Sequence, residues 1–569
     1  MKLKFFIFCS FIIFLISCSK QVKHQVVRGE IAEKGMVVTA HPEATKIGLD
    51  ILKKGGNAVD AAVAIQFGLA VCYPTAGNIG GGGFMVIRFN NGDVDAIDYR
   101  ETAPSKGYKD MYLDETGNVI DGLSTYNHLA VGVPGTVDGV TKAHKKYGKL
   151  SFKEVIQPAI DMARNGFSLT GNQARNLNYH KEAFLKINSV QPAYVNDSTW
   201  HMGDILVLED LANTLELIRN QGRDGFYSGT TADKIVEEMK RGGGLITHED
   251  LANYSTIWRD PIIGNYKDYK IISMSPPSSG GILLVQLLKM VESYPISKWG
   301  WNVPKTVHLM VEAERRVYAD RAKHLGDSDH YPVPVEGLLD EQYIHDRMND
   351  FSPEKANLSS EIQYGIPLGY ESEETTHFSI VDQFGNAVAV TTTLNRGYGT
   401  KIVVDRAGFI LNNIMDDFSA KPGAPNSYGL VGGEANSIQP DKRMLSSMTP
   451  TIIEKNGDLY MVLGSPGGST IITSVFQTIL NVVEHNMNMQ EAVNAGRFHH
   501  QWLPNVISYE KTAIDSLAIM QLQKMGHEMK IRSSIGRVDA ILILPDGKLE
   551  GGADPRGDDK AMGLNKIEK

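Results

Sequence analysis

The segment EETTHFS, residues 373–379, places two threonines directly after two glutamates at the start of a predicted β-strand. A threonine hydroxyl is a weak nucleophile unless a base takes its proton. If the chain were cut before Thr375, the new α-amine would lie beside the hydroxyl of the same residue and could act as that base. An α-amine has a pKa of about 7.7–8.0, so roughly a tenth to a sixth of it is neutral at pH 7. Cleavage would therefore activate the hydroxyl.

Other catalytic signatures are missing from the sequence. It contains no G-x-S-x-G elbow, no H-E-x-x-H zinc helix and no C-x-x-C pair, and His499 and His500 lack the spacing of metal ligands. A row of threonines is also ordinary composition for a β-strand. The residues alone leave two interpretations of Thr375 open, a nucleophile or a strand residue.

The chain around Thr375 reads as two strands joined by a turn at residues 382–386. Asp at the first turn position and Gly at the fourth favour a type I turn with Gly385 in the left-handed position, which gives a loop of three residues. This loop sets Thr375 opposite Thr393. A loop of four residues would set Thr375 against Leu394 instead.

Helical patterns dominate the first part of the chain. One helix is predicted to begin near Pro42 and to stop at Gly55 and Gly56, and an apolar helix follows over residues 57–71. Residues 124–350 are mostly helical patterns. Within them, the segment VHLMVEAERRVYADRAKHLGDSD is heavily charged on one side, which predicts a solvated face.

The chain becomes strand-rich after residue 372. The predicted strands are HFSIVD, NAVAVTTTL, KIVVD, DLYMVLG and VDAILILPDG. The earlier glycine cluster at residues 80–83 lacks the Lys-Ser/Thr of a phosphate-binding loop, so close backbone packing is the better interpretation. Helices first and a sheet later predict layered α and β elements in one compact unit, an α/β (α+β) fold.

Composition excludes several classes of protein. The 569 residues carry 66 acidic and 57 basic side chains, so nothing indicates a nucleic-acid surface or a polybasic membrane patch. Of the three cysteines, Cys9 would leave with the export signal, Cys18 would carry a lipid, and Cys72 lies alone in the apolar helix. A disulfide framework is therefore not expected.

The first segment, MKLKFFIFCSFIIFLISCSK, is typical of an export signal. Lys2 and Lys4 precede an apolar run of twelve residues, Phe5 to Ile16, which is too short to span a bilayer comfortably. The end of this segment, LISC, resembles the lipobox of bacterial lipoproteins, in which residues 1–17 are removed and Cys18 is lipidated. An uncleaved anchor is the alternative. Both interpretations predict an exported, membrane-attached protein on the periplasmic or cell-envelope side.

Several motifs together resemble one family. TTHFSIVDQFGNAVAVTTTLN, LNNIMDDFS, KRMLSSMTPTI, GSPGGST and RFHHQWLP are similar to motifs of the γ-glutamyltransferases, also called γ-glutamyl transpeptidases or glutathione hydrolases. GNIGGGGFMV, DYRETAP, PPSSGGI and DPRGDDKA extend the match over most of the chain. The resemblance implies an N-terminal-nucleophile hydrolase, a four-layer αββα sandwich. Autocleavage between Glu374 and Thr375 would give a heterodimer of a large chain, 18–374, and a small chain, 375–569.

The resemblance also implies the reaction. The Thr375 hydroxyl would first attack the carbonyl of Glu374 and cut its own chain. It would then attack the γ-carbonyl of glutathione or a related γ-glutamyl compound, expel cysteinylglycine and form an ester. Water, or the amine of an amino acid or peptide, would take the γ-glutamyl group from this ester. No cofactor and no metal is implied.

Further roles follow from the same resemblance. Gly467 and Gly468 would form the oxyanion hole, where backbone amides need an unobstructed approach to the developing charge. Arg100 would hold the α-carboxylate of the substrate in a two-point contact that lysine could not reproduce. Ser446 and Ser447 would donate further hydrogen bonds to this carboxylate.

The ammonium end of the substrate is assigned in the same way. Asp417 would accept hydrogen bonds from the ammonium, with Asn395 beside it, and Thr393 would hydrogen-bond the nucleophile. Tyr428, in the segment 421–433, would gate the pocket as part of a lid, with a plain surface loop as the alternative.

Two residues depart from the family pattern. Ile414 in LNNIMDDFS lies where members commonly have Gln or Glu to help bind the ammonium, so recognition is expected to depend more on Asp417 and Asn395. Arg396 is also unusual, and the sequence suggests no role for it. Two alternative functions stay open: a related acylase with another donor, such as a glutaryl or poly-γ-glutamyl amide, and a catalytically silent lipoprotein that binds γ-glutamyl compounds. Asp417 argues against a glutaryl donor, which lacks the ammonium.

Overall fold

The computed structural model describes residues 27–362, 375–421, 423 and 432–566. Cys18, Glu374 and Tyr428 lie outside the described residues, so the predicted lipidation site, the residue before the cut and the predicted gate have no structural account. Among the described helices, none combines the length and the apolar character that a bilayer span requires.

The described strands alternate with helices along most of the chain. The strands are β1 Glu30–Ala32, β2 Gly35–Thr39, β3 Gly82–Arg88, β4 Val94–Asp98, β5 Phe167–Ser168, β6 Ile205–Leu206, β7 Ile257–Arg259, β8 Ile262–Tyr266, β9 Tyr269–Ser273, β10 Thr376–Val381, β11 Ala387–Thr393, β12 Thr451–Lys455, β13 Asp458–Gly464, β14 Phe498–His499, β15 Ile507–Glu510, β16 Met529–Arg532, β17 Asp539–Ile543, β18 Leu549–Gly552 and β19 Lys560–Leu564.

The helices are α1 Pro42–Lys53, α2 Ala58–Cys72, α3 Thr136–Tyr147, α4 Phe152–Asn165, α5 Gly171–Ile187, α6 Glu209–Gln221, α7 Asp224–Tyr227, α8 Gly229–Gly242, α9 His248–Asn253, α10 Gly280–Glu292, α11 Ile296–Trp299, α12 Pro304–His324, α13 Val335–Leu339, α14 Glu341–Asp346, α15 Thr470–Val483, α16 Met489–Asn494 and α17 Ser516–Lys524.

Two seven-stranded sheets form the centre of the described structure. The first has the order β1-β18-β17-β13-β12-β9-β8, and the second has the order β19-β2-β10-β11-β3-β4-β7. The strands β10 and β11, which follow Thr375, lie in the middle of the second sheet, between β2 and β3. Segments from both sides of residue 375 therefore build each sheet.

Three slabs of apolar side chains define the layers. Alternate side chains of a strand point to opposite faces of its sheet. Val388 and Val390 of β11 face a core shared with helices α1, α2, α4 and α6, whereas Ala387 and Ala389 face a core shared with the first sheet. The other face of the first sheet packs against α10, α12 and α15. The order of layers is helix, sheet, sheet, helix, as the resemblance implies.

The hairpin that begins at Thr375 has the predicted register. His377 pairs with Thr391 and Thr376 with Thr392, so the next pair outward places Thr375 opposite Thr393. Gly385 has a φ of 84°, as the predicted turn requires. The loop of three residues is confirmed, and the alternative pairing with Leu394 is wrong.

The N-terminal helices also match their sequence signals. Pro42 is the first residue of α1, and α1 ends before Gly55, which has a φ of 88°. A capping box between Asn57 and Asp60 begins α2. All residues of α2 are buried, as expected of a helix that is apolar all round. Cys72 lies buried and unpaired with any other described cysteine.

The glycine cluster at residues 80–83 allows close backbone packing, as predicted. A Cβ on Gly80 would lie 2.2 Å from the carbonyl oxygen of Ile410, and one on Gly81 would lie 2.2 Å from that of Thr393. No side chain fits these distances. The cluster brings the start of β3 against the segment that follows β11, and this packing positions one wall of the site described below.

The solvated face predicted for the charged helix is wrong. This helix is α12, and its charged residues from Glu312 to Arg321 are buried. Arg315 Nε lies 3.2 Å and Arg316 Nη1 2.7 Å from the carboxylate of Glu312, and all three side chains are at most 1 % exposed. Glu312, Arg315 and Arg316 are tolerated because they pair at helical spacing, whereas Asp320 pairs with Arg347 and Glu314 accepts a hydrogen bond from the backbone N–H of His500. One end of α12 reaches the functional site.

The structure also differs from the sequence analysis in one predicted strand and in one region predicted to be mostly helical. KIVVD, residues 401–405, forms a single bridge between Val403 and Ile410 instead of a strand. Strands β7, β8 and β9 lie inside the region in which the sequence showed mostly helical patterns. These are edge or near-edge strands whose short, weakly alternating patterns are hard to separate from loops.

Candidate active site

Thr375 lies where two clefts meet. It precedes β10 by one residue and is 6 % exposed. The inner cleft has a volume of about 30 Å³, and the outer cleft a volume of about 250 Å³. The residues that line the inner cleft are Arg100, Arg321, Thr375, Thr393, Asn395, Asp417, Leu445, Ser446, Ser447, Met448, Gly468 and Ile471. The structure thus brings together all the predicted substrate-binding residues around the predicted nucleophile.

Arg100 and Asp417 pair with each other across the inner cleft. The Arg100 guanidinium is fully buried, and its Nη2 donates a hydrogen bond to Asp417 Oδ2. Arg100 Nη1 lies 3.6 Å from a carboxylate oxygen of the buried Glu101 and donates no hydrogen bond among the described residues. The open space beside the pair has a volume of about 30 Å³. A zwitterion would bind by replacing the contact between these two side chains: its carboxylate would pair with Arg100 and its ammonium with Asp417.

Burial shifts the pKa values of both carboxyl groups near Arg100 upward. It raises the pKa of Asp417 to about 6, although the charge of Arg100 opposes this shift. It raises the pKa of Glu101 to about 7, again against the effect of Arg100. Asp417 is therefore largely ionised at neutral pH and becomes neutral in mild acid. Glu101 was not among the predicted residues, although it directly follows Arg100 in the sequence.

Ser446 and Ser447 are held at the inner cleft by a network that the sequence did not suggest. The backbone N–H of Ser446 donates to the carbonyl of Pro277 at 2.9 Å. Arg321, from the last turn of α12, donates through Nε to Ser279 Oγ at 3.0 Å and through Nη2 to Ser447 Oγ at 3.2 Å. A second buried guanidinium thus lines the cleft and orients the serine predicted to bind a carboxylate.

The segment after β11 forms another wall of the inner cleft. The backbone N–H of Asn395 donates to Thr393 Oγ1 at 2.8 Å, and Asn395 Nδ2 donates to the carbonyl of Asn413 at 2.9 Å. Asn395 has a φ of 77°, a conformation that is uncommon for a residue other than glycine. Arg396 Nη1 donates to Tyr126 Oη at 2.6 Å. Arg396 thus ties this wall to the loop of Tyr126; the Thr393 contact with the nucleophile stays a prediction.

Gly467 and Gly468 form a tight turn between β13 and α15. Their φ values are 134° and 54°, and a Cβ on Gly467 would lie 2.4 Å from Thr470 Oγ1. Their carbonyls accept hydrogen bonds from the first amides of α15. In the described part of the chain neither glycine amide donates to a protein group. Gly467 lines the outer cleft and Gly468 the inner cleft, and Thr375 lines both. The role of their amides as an oxyanion hole stays a prediction.

Comparison with known proteins identifies this arrangement. A family model described as Gamma-glutamyltranspeptidase matches residues 44–564. The chain belongs to this family. It is 48 % identical over 531 residues to the glutathione hydrolase proenzyme of Escherichia coli (strain K12), which covers 93 % of this chain and 91 % of that protein. It is 36 % identical over 551 residues to the acylase ACY 1 proenzyme of Pseudomonas sp. (strain SE83), over 94 % of both chains.

The solved structures agree with the fold. Cephalosporin acylase from Bacillus halodurans superposes with a TM-score of 0.82 at 24 % sequence identity, over 97 % of this chain and 100 % of that chain. At this identity the likeness bears on the fold alone. The N-terminal-nucleophile hydrolase fold and the γ-glutamyltransferase family assignment predicted from the motifs are thereby confirmed.

Ile414 distinguishes this member of the family from the expected pattern. Its side chain is fully buried in an apolar cluster with residues that include Met415, Phe418 and Met444. It begins the short 3₁₀ segment Ile414–Asp417, and side chains three residues apart in a 3₁₀ helix lie on the same side. Ile414 therefore backs the inner cleft below Asp417 without lining it.

Two buried histidines of this γ-glutamyltransferase, His377 and His499, belong to the core. His377 is fully buried, and burial lowers its pKa to about 3. Its ring nitrogens lie 2.9 Å from Thr391 Oγ1 and 3.0 Å from Ser379 Oγ. Burial likewise lowers the pKa of His499 to about 3. Both rings are neutral at physiological pH, and neither lines the inner or the outer cleft.

One group of described side chains has ligand atoms close enough to hold a metal ion. His308, Glu312 and His527 have such atoms within 4.8 Å of one another. His308 Nδ1 lies 2.8 Å from His527 Nε2, so these nitrogens already share a hydrogen bond. The carboxylate of Glu312 pairs with Arg315 and Arg316. Two adjacent guanidinium groups disfavour a cation here, so the group is better explained as core packing.

Proposed function

We propose that this chain is an autoprocessing γ-glutamyltransferase and glutathione hydrolase. The observation that carries the proposal is that Thr375 lines the inner cleft together with the paired charges of Arg100 and Asp417 and with Gly468. Arg100 and Asp417 offer one cation and one anion in a buried space, which matches the carboxylate and the ammonium of a glutamyl group. The E. coli relative, named glutathione hydrolase proenzyme, supports both the substrate and the processing.

The first reaction is an acyl shift within the precursor. The Thr375 Oγ attacks the carbonyl carbon of Glu374, the C–N bond breaks, and an ester replaces the peptide bond. Water then hydrolyses this ester. The products are the carboxylate of Glu374 and the α-amine of Thr375. The large and small chains remain together as a heterodimer because both contribute strands to each of the two sheets.

The second reaction uses the amine that the first one releases. The neutral α-amine of Thr375 takes the proton of the Oγ–H group while Oγ attacks the γ-carbonyl carbon. The amides of Gly467 and Gly468 stabilise the oxyanion. The C–N bond breaks, the leaving amine receives the proton, and a γ-glutamyl ester forms. Water or an amine then attacks the ester and restores the hydroxyl of Thr375.

The decisive experiment is a donor and acceptor panel with product mass spectrometry. The purified enzyme is incubated with glutathione, γ-glutamyl-p-nitroanilide and glutaryl-p-nitroanilide, with and without glycylglycine. We expect release of cysteinylglycine and p-nitroaniline from the two γ-glutamyl donors only. Cleavage of the glutaryl donor at an equal rate would contradict the proposed role of Asp417. No cleavage of any γ-glutamyl donor by a processed chain would refute the proposal.

A second candidate function is amide hydrolysis with another acyl donor. The 36 % identity to the acylase ACY 1 proenzyme of a Pseudomonas species supports it. The charge pair of Arg100 and Asp417 argues against it for any donor without an ammonium group, because binding would leave the Asp417 carboxylate buried without a cationic partner from the substrate. The same donor panel decides between the two functions.

We also propose export and lipid attachment at Cys18. The leader sequence MKLKFFIFCSFIIFLISC supports this proposal through its two lysines, its short apolar run and its terminal cysteine. Incorporation of labelled palmitate into the wild-type protein, and its loss in Cys18→Ala, is the expected result. Equal labelling of the two proteins would contradict attachment at this residue.

Binding of the glutamyl group is expected to weaken in mild acid. Asp417 must be ionised to accept hydrogen bonds from an ammonium, and its pKa is raised to about 6. The inhibition constant of L-glutamate should therefore rise by about tenfold per pH unit below pH 6. The α-amine of Thr375 does not enter this measurement, because glutamate is bound without reaction. Asp417→Asn should bind weakly at every pH; a constant that is flat in the parent from pH 5 to 7 would contradict the assignment.

Ile414→Gln tests the departure from the family pattern. The added amide oxygen, on the same side of the segment as Asp417, is expected to accept a hydrogen bond from the ammonium and to lower KM for γ-glutamyl donors relative to other amides. The polar group also enters an apolar cluster, so the free energy of unfolding should fall by about 1–3 kcal/mol. Ile414→Met, which stays apolar, is the matched control. An unchanged preference for γ-glutamyl donors would contradict this account of Ile414.

A further inference from the structure

The outer cleft is larger than the inner cleft and has no role in the reaction as described so far. It has a volume of about 250 Å³ and shares Thr375 with the inner cleft. Its lining residues are Tyr73, Thr75, Asn172, Gln173, Arg175, Asn176, Thr375, Pro466, Gly467, Ser534, Gly536, Arg537, Arg556, Gly557 and Asp558. The walls come from the start of α5, from the glycine turn and from the C-terminal region.

The position of Thr375 assigns a direction to the two clefts. The carbonyl carbon under attack must lie at the Thr375 Oγ, so the two halves of the substrate extend from this point into different spaces. The charges of the inner cleft suit the glutamyl half. The half on the nitrogen side of the bond then extends past Gly467 into the outer cleft, and an accepting amine must approach from the same side.

Cations outnumber anions among the residues that line the outer cleft. Arg175, Arg537 and Arg556 carry positive charge, and Asp558 is the one carboxylate in the lining. The guanidinium of Arg556 is already engaged, since its Nε and Nη2 donate to the two carboxylate oxygens of Glu510 at 2.7 and 2.5 Å. The two other arginines have capacity for a ligand.

Arg175 and Arg537 each retain hydrogen-bond donors. Arg175 is exposed, and among the described residues its one side-chain hydrogen bond goes from Nη2 to Asn172 Oδ1. Arg537 Nη1 donates to Tyr73 Oη at 3.0 Å, and its Nε lies 3.0 Å from Asp559 Oδ1. Arg537 Nη2 has no hydrogen-bond acceptor in the described part of the chain. Arg537 lines the cleft, and a guanidinium at the wall of a cleft suits an anionic ligand.

The carboxyl groups near Arg175 and Arg537 do not cancel the positive charge of the outer cleft. The Asp558 oxygens accept hydrogen bonds from Thr170 Oγ1 and Asn172 Nδ2, both at 2.7 Å. Behind Arg537, burial and the neighbouring charge of Asp559 raise the pKa of Asp539 well above its ordinary value. Burial also raises the pKa of Asp559, whose Oδ1 lies 3.0 Å from Arg537 Nε, to about 7. These shifts reduce the negative charge that the two carboxyl groups place beside Arg537.

We propose that the outer cleft binds the leaving and the accepting molecule, an amino acid or short peptide, and that Arg175 and Arg537 bind its carboxylate. This inference rests on the proposed γ-glutamyl transfer and assigns the residues that recognise the carboxylate of its second substrate. For glutathione the bound carboxylate is that of the glycine residue in the leaving cysteinylglycine. For transfer it is the terminal carboxylate of the acceptor, whose amine attacks the γ-glutamyl ester of Thr375.

The test compares donors and acceptors with and without this carboxylate. Glutathione has it on the leaving side and γ-glutamyl-p-nitroanilide lacks it, and glycylglycine has it whereas glycylglycine amide lacks it. The variants are Arg175→Gln, Arg537→Gln and Arg537→Lys in the processed enzyme. Lys186→Gln, an exposed cation on α5 outside the cleft, is the matched control.

We expect the ratio of kcat/KM for glutathione to that for γ-glutamyl-p-nitroanilide to fall about tenfold in Arg175→Gln and in Arg537→Gln, equivalent to about 1.4 kcal/mol for each. The preference for glycylglycine over its amide should fall by a similar factor. Arg537→Lys should keep part of both preferences because it keeps the charge, and the control should keep all of both.

Unchanged ratios in both glutamine variants would overturn the inference. An equal loss on all substrates would also overturn it, because it would show a general effect on folding or on the oxyanion site. Arg175→Gln guards against misfolding, since Arg175 is exposed. Failure of the parent enzyme to cleave γ-glutamyl-p-nitroanilide would be a different result, which refutes the proposed function itself.

Discussion

Replacement of Thr375 by alanine is expected to give a single uncut chain without measurable γ-glutamyl hydrolysis. The variant lacks the Oγ that attacks the carbonyl of Glu374, and it also lacks the nucleophile of the mature enzyme. Removal of a catalytic hydroxyl typically lowers kcat by about 10³–10⁶-fold. Denaturing gel electrophoresis shows the number of chains, N-terminal sequencing of the smaller wild-type fragment should begin at Thr375, and release of p-nitroaniline gives the rate.

Two variants test whether a hydroxyl group is required and whether it must belong to residue 375. Thr375→Ser keeps an Oγ and should be cut, with lower activity than the parent. Thr376→Val removes the neighbouring hydroxyl, which is buried and donates no hydrogen bond among the described residues, and it should be cut and active. A wild-type protein that is active while residues 374 and 375 are still joined would contradict the entire mechanism.

The hairpin at Thr375 was predictable because its determinants are local. The Asp at position 382 and Gly385 specify the turn, and the turn specifies the register of every pair in β10 and β11. The same holds for α1 and α2, whose ends are marked by Pro42, Gly55 and a capping box. The register of the hairpin and the ends of the two helices could thus be predicted from short segments of sequence.

The burial of α12 could not be predicted from its own sequence. A helix with many charges usually has a solvated face, but in this fold it packs against a sheet on one side and other helices on the other. The spacing of Glu312, Arg315 and Arg316 gave a signal of internal pairing, which is also typical of exposed helices. Only the tertiary structure shows that Arg321 extends from this helix to Ser447.

The outer cleft was missed for a related reason. Arg175 belongs to the helix α5, whereas Arg537 and Asp558 follow more than 350 residues later in the chain. No pattern within either segment relates them. The inner cleft was found in the sequence because the resemblance assigns roles to its residues. The motifs GSPGGST and DPRGDDKA also contain residues of the outer cleft, but neither motif includes Arg175 or Arg537.

Replacement of Arg100 by glutamine should have the second largest effect on activity. The variant loses the guanidinium that binds the substrate carboxylate, and it leaves the Asp417 carboxylate buried without its partner. Breaking a buried pair by removing one member costs about 3–5 kcal/mol. A loss of this size in substrate binding corresponds to a fall of about 10²–10⁴-fold in kcat/KM. The change should lie mainly in KM, because Arg100 contacts the glutamyl end and not the reacting carbonyl.

The pH dependence distinguishes this explanation from simple misfolding. Arg100 opposes the burial effect on Asp417, whose pKa is about 6 when the arginine is present. Without the arginine this pKa rises further, so the pH below which L-glutamate binding weakens should move upward. Arg100→Lys keeps a charge but not the two-point contact, so it should bind better than the glutamine variant and worse than the parent.

A double variant completes the test of the charge pair. If Arg100 and Asp417 act as one unit, Arg100→Gln with Asp417→Asn should lose less than the sum of the two single losses, because neither buried charge is left alone. The double variant should also be more stable to urea than Arg100→Gln. Additive losses in kcat/KM, with equal stability of all variants, would mean that the two residues act independently and that the pair seen across the inner cleft has no part in recognition.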